Sequence, residues 1–411
     1  MGKLNTHLKE IHMLNTAQRD LVRATAPILK QHGIALTTHF YARMFQHNPE
    51  LKQIFNEGNQ QSGAQQQALA MAVAAYAEHI DHPGVLAPVL THIANKHISL
   101  GIRPEHYPIV GHHLLASIRE VLGAAATDEL IAAWAAAYGQ LADVLIAEEA
   151  QLYAAAAFKQ GGWTGWRGFV VTKKEQESTE ITSFYLRPAD SGSVPDYTPG
   201  QYISVRMFVP EWNLMQPRQY SLSDAPGNDY LRISVKREQS GNIIGQVSNL
   251  LHNTVNVGDI IDLAPPAGDF ILHQDRKTPV ILISGGVGIT PMLAMLKHLV
   301  KTGSDRAVRF VHGCRNSDVH AFKQVVNQLA AQESSVEKAV FYDEGGPEHS
   351  HDHIGYVDLA KISDTVILPD ADYYLCGPLA FMQAQIKSLQ AMGVSAERIH
   401  AEAFGTGGVA A

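Results

Sequence analysis

Two short segments in the second half of this 411-residue chain carry residue types that could do redox chemistry. Residues 285–291 read Gly-Gly-Val-Gly-Ile-Thr-Pro and continue the apolar run Val280, Ile281, Leu282, Ile283. A buried strand, a turn with little side-chain bulk and a helix start let the pyrophosphate of a dinucleotide approach backbone N–H groups and the positive end of the helix. The third glycine of the dehydrogenase fingerprint is absent, and Thr290-Pro291 stands in its place. On the glycines alone, a plain strand-to-helix turn explains the segment as well as a phosphate site does. A second turn, Cys376-Gly377-Pro378, closes another apolar strand, and open α/β sheets take ligands at that edge. Residues 218–221 read Arg-Gln-Tyr-Ser. The arginine can hold a diphosphate, the tyrosine can cover a ring, and the serine can hydrogen-bond the redox edge of a flavin. The same four residues are equally an unremarkable strand.

The chain has 21 histidines, so helical spacing must decide which of them could ligate a metal. In the stretch LAPVLTHIANKHISLG the apolar face runs Leu86, Val89, Leu90, Ile93, Ala94 and continues to His97 and Gly101. His92 shares its side with Pro88, Asn95, Lys96 and Ser99 and is expected in solvent. A lone buried histidine is more often a satisfied core residue than a ligand. Tyr41 and Phe45 are likewise spaced as ordinary core aromatics, and Glu148 and Glu149 cannot be ranked by position.

The elements that must hold these residues change character along the chain. Residues 16–157 read as helices, rich in Ala, Leu and Gln, with Pro27, Pro49 and Pro104 near helix starts. Gly161-Gly162-Trp163 breaks that pattern and marks a linker. From Trp166 the segments FVVTK, ITSFYLR, GQYISVRMF, RQYSLS, YLRISVKRE and IIDLAPPAGDF are short, β-branched and separated by turn residues, as in a small antiparallel barrel. Past Pro279 strands and helices alternate, which implies a mainly parallel sheet with helices on its faces. The composition, 45% apolar and 18% charged, is that of a globular protein with ample core, and the length calls for two or three domains. A net charge of −8 argues against nucleic-acid or anionic-membrane partners. Two cysteines, Cys314 and Cys376, exclude a disulfide framework and suit a reducing, cytoplasmic setting. No apolar run is expected to span a membrane, and the first residues contain no signal-peptide core.

Taken in order, PGQY at residues 199–202, RQYS, GQVSNLLH at residues 245–252, GGVGITP and YYLCGP resemble the ferredoxin–NADP reductase superfamily from end to end. That resemblance implies FAD contacts from Tyr202, Arg218, Gln219, Tyr220, Ser221, Gly245, Gln246, Val247 and Ser248. It implies nicotinamide-nucleotide contacts from Gly286, Val287, Gly288, Ile289, Thr290 and Pro291, and from Cys376, Gly377 and Pro378. In the helical half, HFYARMFQHNPELKQIF (residues 39–55), IANKHISLGIRPEHYPIVGHHLL (93–115) and AWAAAYGQLADVLIAEEAQLY (133–153) closely resemble the bacterial flavohaemoglobins. The likeness covers nearly the whole chain after Met13, including the domain order.

The resemblance implies a multidomain fold: an all-α globin over 13–157, a linker at 158–163, an antiparallel β-barrel FAD domain over 164–275 and an α/β parallel-sheet NAD(P)-binding domain over 276–411. Residues 1–12 are expected to be a loosely ordered leader, with Met13 a possible second start. His97 is implied as the proximal ligand of haem b, hydrogen-bonded to Tyr107 and Glu149; a carboxylate pulling on the far ring N–H pushes electron density to iron. On the other haem face Tyr41 is implied to donate its O–H to bound dioxygen, with Gln65 and Leu69 shaping the pocket and Phe55 stacking on the porphyrin. Lys96 and Glu402 match positions between haem and flavin.

The implied activity is that of a monomeric nitric oxide dioxygenase, in which NADH or NADPH reduces FAD, FAD reduces haem, and O2 and NO become nitrate. An NAD(P)H-driven reductase acting on oxygen or hydroperoxides is the enzymatic alternative, and an oxygen store or sensor the non-enzymatic one. The C-terminal family segment, aromatic–Glu–x–Phe–Gly–Pro, reads here His400-Ala401-Glu402-Ala403-Phe404-Gly405-Thr406. Glu402, Ala403, Phe404, Gly405 and Thr406 are carried over as flavin contacts, without the aromatic and the proline. HSHDH at residues 349–353 is read as a hydrated surface loop rather than a metal site. Gly2 to Thr6 matches the myristoylation pattern by letter only. Arg315, after the second strand of the nucleotide domain, is either a 2′-phosphate partner or a surface charge.

Overall fold

The computed structural model describes residues 14–240, 243–344 and 351–404. The expectations for residues 1–13, His349, Gly405 and Thr406 therefore lie outside the described residues. Two compact units divide the chain, one ending at Ala155 and the other beginning at Ala156.

The first unit is helical: α1 (Thr16–Ala24), α2 (Ala26–His47), α3 (Glu57–Gln61), α4 (Ala64–Glu78), α5 (Ala87–Leu100), α6 (His106–Leu122) and α7 (Asp128–Phe158). Local sequence sets several starts. Asn15 and Gln18 make a reciprocal capping box on α1, and Pro27 sits in the first turn of α2, where its missing N–H is harmless. Phe40, Met44, Ala77, Ile118, Ala133 and Trp134 form a core drawn from α2, α4, α6 and α7. One expectation needs correcting here: α7, with 31 residues, is long and apolar enough to cross a membrane by length and composition. Its buried residues Leu130, Ala133, Trp134, Ala137, Ala142, Leu145 and Glu149 instead recur along one face and close the helical core.

The second unit opens with an antiparallel sheet of β1 (Arg167–Gln176), β2 (Ile181–Pro188), β3 (Tyr202–Val209), β4 (Leu214–Ser221), β5 (Leu231–Lys236) and β8 (Ile260–Leu263), in the order β4-β3-β8-β1-β2-β5. A bridge from Leu222 to Ile233 brings the two edges together, so the sheet curls into a barrel around Phe169, Phe184, Ile203 and Leu263. A two-stranded ribbon, β6 (Gln239–Ser240) with β7 (Ile243–Ile244), leads into α8 (Gln246–Asn253).

The second sheet of this unit is parallel, in the order β12-β11-β10-β9-β13-β14. Its strands are β9 (Val280–Gly285), β10 (Val308–Cys314), β11 (Val336–Tyr342), β12 (His353–Ile354), β13 (Asp372–Gly377) and β14 (Ile399–Ala403); its helices are α9 (Ile289–Lys301), α10 (Lys323–Gln332), α11 (Ser363–Val366) and α12 (Leu379–Ala391). Both faces are covered: Val280 and Leu282 join the core under α9, Ile281 and Ile283 the core under α12. Successive strands step from β9 outward to β12, and the chain then returns to β13 on the other side of β9. That reversal is the switch point at which sheets of this class take ligands. The surface-loop reading of residues 349–353 also changes: His353 and Ile354 form the edge strand β12, His353 stacks on Phe341, and Asp352 accepts the Val340 N–H at 2.9 Å. No metal-binding group of His, Cys, Asp and Glu exists among the described residues.

Candidate functional site

α5 ends just past His97, where Gly101 takes a left-handed conformation and its N–H caps the His97 and Ile98 carbonyls. His97 Nδ1 lies 2.7 Å from Glu149 Oε1 and 3.1 Å from the Tyr107 hydroxyl. Tyr107 donates to the same Glu149 oxygen at 2.5 Å. Burial, then the hydrogen bond and charge of Glu149, raise the Tyr107 pKa, so the hydroxyl keeps its proton. Glu149 is 2% exposed and its Oε2 has no partner among the described residues. With Nδ1 committed to the carboxylate, the His97 ring has only Nε2 left for a ligand.

Two tyrosines missed in the sequence brace this corner. Tyr138 donates to the Tyr107 carbonyl and Tyr153 to the Ile102 carbonyl, both at 2.7 Å. A signal existed: Tyr138, Ala142, Leu145, Glu149 and Tyr153 recur every three or four residues on one face of α7. That stripe separates buried Glu149 from half-exposed Glu148.

The face reading of α5 is right for His92, which is exposed, and wrong for its neighbours. Asn95 and Ser99 are buried, whereas Val89 is 49% exposed. Asn95 and Ser99 return hydrogen bonds to Thr91 O and Lys96 O, so they enter the core with their polar groups satisfied. Leu90, Ile93 and His97 are half-buried on the remaining face, as is Lys96 on the same helix.

Tyr41, from α2, is buried among Phe40, Phe45 and Phe55, with ring centroids 4.9, 5.9 and 5.8 Å away. Burial raises its pKa, and a hydrogen bond from Gln65 opposes that shift. Gln60, also missed in the sequence, donates to Gln65 Oε1 at 2.8 Å, which turns the Gln65 N–H toward Tyr41 and leaves the tyrosine O–H free to donate. Leu69 packs on the same cluster, and Ile54 and Leu90 touch both this cluster and the one around Tyr107. An imidazole with one uncommitted nitrogen, and a protonated phenol in an apolar cluster that shares Ile54 and Leu90 with the one around Tyr107, make a donor set suited to a haem.

In the barrel, the β3–β4 register sets Tyr202 opposite Ser221 and Val205 opposite Arg218. Arg218 and Tyr220 point to one side of β4, Gln219 and Ser221 to the other. The Arg218 guanidinium donates to Pro217 O at 2.7 Å and Gln216 Oε1 at 3.4 Å, and among the described residues no carboxylate pairs with it. Burial depresses its pKa to about 10. Tyr220 is raised by burial, and Ser221 Oγ is buried without a partner. A half-buried cation with only neutral acceptors among the described residues suits a diphosphate, and the Ser221 hydroxyl on the other side of the strand suits a polar ring edge. Gly245 caps α8 and Ser248 Oγ donates to its carbonyl at 3.0 Å, leaving the first-turn amides of Gln246, Val247 and Ser248 outside the helix ladder.

In the parallel sheet, β9 ends in the turn Gly286–Gly288 and α9 follows directly, with Pro291 in its first turn. Gly286 has φ +54° with open space around it, and a Cβ on Gly288 would lie 2.1 Å from the Cys376 carbonyl oxygen. The two turns thus pack against each other by backbone, as a phosphate cradle requires. Val287 O accepts the Thr290 hydroxyl at 3.0 Å, and Ile289 is fully buried. Cys376 is fully buried and its thiol is pushed up by burial, so it acts as a small apolar residue.

β14, which sequence reading had not identified as a strand, pairs Glu402 with Cys376 and Ala403 with Gly377, bringing the C-terminal segment beside the Cys-Gly-Pro turn. Phe404 is 40% exposed just beyond it. His400 stands where the family segment has an aromatic, and it stacks on Tyr374 at 4.8 Å and touches His273 at 4.7 Å. An imidazole ring does the packing of the missing aromatic.

Comparison with known proteins assigns these regions in turn. The globin family profile matches residues 38–145, the oxidoreductase FAD-binding domain residues 168–271, and the oxidoreductase NAD-binding domain residues 282–387. A flavohemoprotein of Bordetella parapertussis is 64% identical over 403 residues, covering 97% of this chain and 100% of the relative. One of Chromobacterium violaceum is 58% identical over 400 residues, covering 96% and 99%. Among solved structures, the flavohemoglobin of Malassezia yamatoensis with bound FAD and haem superposes with a TM-score of 0.86 at 30% identity, over 95% of this chain and 100% of that one. The FAD/NAD-binding domain of a nitric oxide dioxygenase from Vibrio cholerae gives 0.54 at 45% identity, over 58% and 98%.

Proposed function

The chain belongs to the flavohaemoprotein family, and from that premise we propose that it is an NAD(P)H-dependent nitric oxide dioxygenase, cytoplasmic and acting as a monomer without an obligatory partner. When bound, haem supplies the iron at which O2 and NO combine to nitrate, and FAD divides a nicotinamide hydride into single electrons. Each NO plus O2 takes up one electron to become nitrate, so one hydride supports two turnovers.

The protein's part is to hold and tune. His97 would hold haem through Nε2, the nitrogen its hydrogen bonds leave uncommitted, with Phe55 and Leu69 lining the pocket. Glu149, buried and hydrogen-bonded by Tyr107, would draw on the Nδ1 proton and make the imidazole a stronger donor. Tyr41 keeps its proton because it is buried, and Gln65 aims its hydroxyl at the oxygen substrate. Arg218 and the first turn of α8 would hold the FAD diphosphate, Tyr202 and Tyr220 would cover its rings, and Gln219 and Ser221 would meet its polar edge. The glycine turn and the Cys376–Pro378 turn hold the nicotinamide nucleotide. Lys96 would adjust the charge beside haem and Glu402 the charge beside the flavin.

The observation that carries the reading is the buried Glu149 carboxylate on His97 Nδ1, in a chain that also builds a dinucleotide cradle. An oxygen store needs neither. The test is NADH-driven NO consumption under air with nitrate counted. Two nitrates per NADH support the assignment. NO loss without nitrate, or no faster than without NADH, overturns it.

A further inference from the structure

Arg315 leaves the sheet one strand away from the glycine turn. The β9–β10 register sets Gly313 beside Gly285, and β10 ends at Cys314. In sheets of this kind the residues after the second strand meet the adenosine ribose: a carboxylate suits a free 2′-hydroxyl, and an arginine suits a 2′-phosphate. A bare arginine here would favour the phosphorylated nucleotide.

This arginine is not bare. Its guanidinium is hydrogen-bonded and ion-paired to Glu180, which lies in the β1–β2 turn of the barrel, far away in sequence. The contact between turn and loop is built in more than one place. Thr179 donates both its N–H, at 2.9 Å, and its hydroxyl, at 3.1 Å, to the Asp318 carbonyl. The Glu344 N–H donates to Arg315 O at 2.8 Å, and the Asn316 amide donates to Glu344 Oε2 at 2.9 Å. Asp343 follows β11 at the same edge, its N–H on Cys314 O at 3.1 Å. Among the described residues, the charged groups around this corner include Arg315 and Lys323, the first residue of α10, against Glu180, Asp318, Asp343 and Glu344; Arg237, whose backbone N–H donates to Glu180 O at 2.8 Å, turns its guanidinium to Asn253.

We infer that Glu180 is a specificity-determining residue. By holding Arg315 it withholds a guanidinium placed to pair with a 2′-phosphate, and the nucleotide with a free 2′-hydroxyl is favoured. A 2′-phosphate dianion would have to pull Arg315 from Glu180 and would then sit among uncompensated carboxylates. A ribose diol instead finds acceptors for its hydroxyls. The inference rests on the glycine turn being the nucleotide site.

The experiment is calorimetric titration of the full-length holoprotein with 5′-AMP and with 2′,5′-ADP, which differ by the 2′-phosphate alone. The wild type binds 2′,5′-ADP more weakly than 5′-AMP. Glu180→Gln moves the affinity ratio toward 2′,5′-ADP by about tenfold, and adding Arg315→Ala to that variant abolishes the gain. Tighter binding of 2′,5′-ADP by the wild type, or a ratio that Glu180→Gln leaves in place, overturns the inference while the nucleotide site stands. Binding of neither probe overturns the site assignment and the inference with it.

Discussion

Around His97 the working groups are side chains drawn from three helices, whereas around Gly286 they are backbone groups from two turns pressed together. Glu149, Tyr107 and His97 come from α7, α6 and α5 and meet only because those helices cross. Gly286, Gly288 and Gly377 contribute by having no side chain. Buried charge is handled differently too. Glu149 is answered inside the protein by a phenol and an imidazole, while Arg218 in the reductase has only neutral acceptors. The first arrangement joins three side chains through one Glu149 oxygen and, on the proposed reading, would tune what is attached to His97. The second stays short of a counter-charge and therefore draws an anionic cofactor. On the proposed reading one unit modulates a metal and the other binds phosphates, and a change in either should be readable separately.

The hardest break in that comparison is His97→Ala. The variant should lose the Soret band and with it all NO turnover, yet still reduce an artificial acceptor with NADH at close to the normal rate. A normal Soret band would remove His97 as the ligand, and loss of acceptor reduction would show that the two units are not separable. The mirror change, Arg218→Met, removes the unanswered cation while keeping its length. A charge-assisted bond of about 1.5–3 kcal/mol is lost, so FAD affinity should fall by about ten- to a hundredfold, with the Soret band intact. Equilibrium dialysis of flavin measures it, and undiminished FAD binding would place the diphosphate elsewhere.

The same contrast explains what could be read from the chain. Residues 218–221 and 285–291 are contiguous, so their chemistry is written in adjacent letters, and the alternation of strands and helices that holds them is equally local. His97, Glu149 and Tyr41 are brought together by tertiary packing. Spacing could place His97 on an inward face but could not choose Glu149 over Glu148 without the family likeness or the stripe along α7. Asn95 and Ser99 were misread because burial follows hydrogen-bond satisfaction as well as polarity. Glu180 was invisible as a partner of Arg315, since a single turn residue carries no sign of what lies across a domain. The strand β14 escaped because its apolar content is low and it forms only against β13.

The smallest effect expected is a difference in acid sensitivity between the two units. In the parallel sheet, burial lowers His312 to about 3 and His320 to about 2, and the rings lie 4.6 Å apart, bonded to Ser284 and Tyr342. Unfolded, both take up protons near pH 6.5, so the stability they contribute is present above that pH and is lost as the pH falls toward their folded values. Asp372 acts in the same direction lower down: burial alone would raise it, but Thr278 and Arg276 hold it below the ordinary value, and its contribution disappears under the unfolded pKa. The globin unit has weaker counterparts in His106 and His113, both lowered by burial first. Between pH 7.5 and 5 the flavin-reported melting midpoint should therefore fall by several degrees more than the Soret-reported one, since about 1 kcal/mol corresponds to roughly 2–4 °C in a unit of this size. If the Soret transition moved first, the buried histidine pair would not be what sets the acid limit. The contrast between a self-contained site and a dependent one would then have to rest on the cofactors alone.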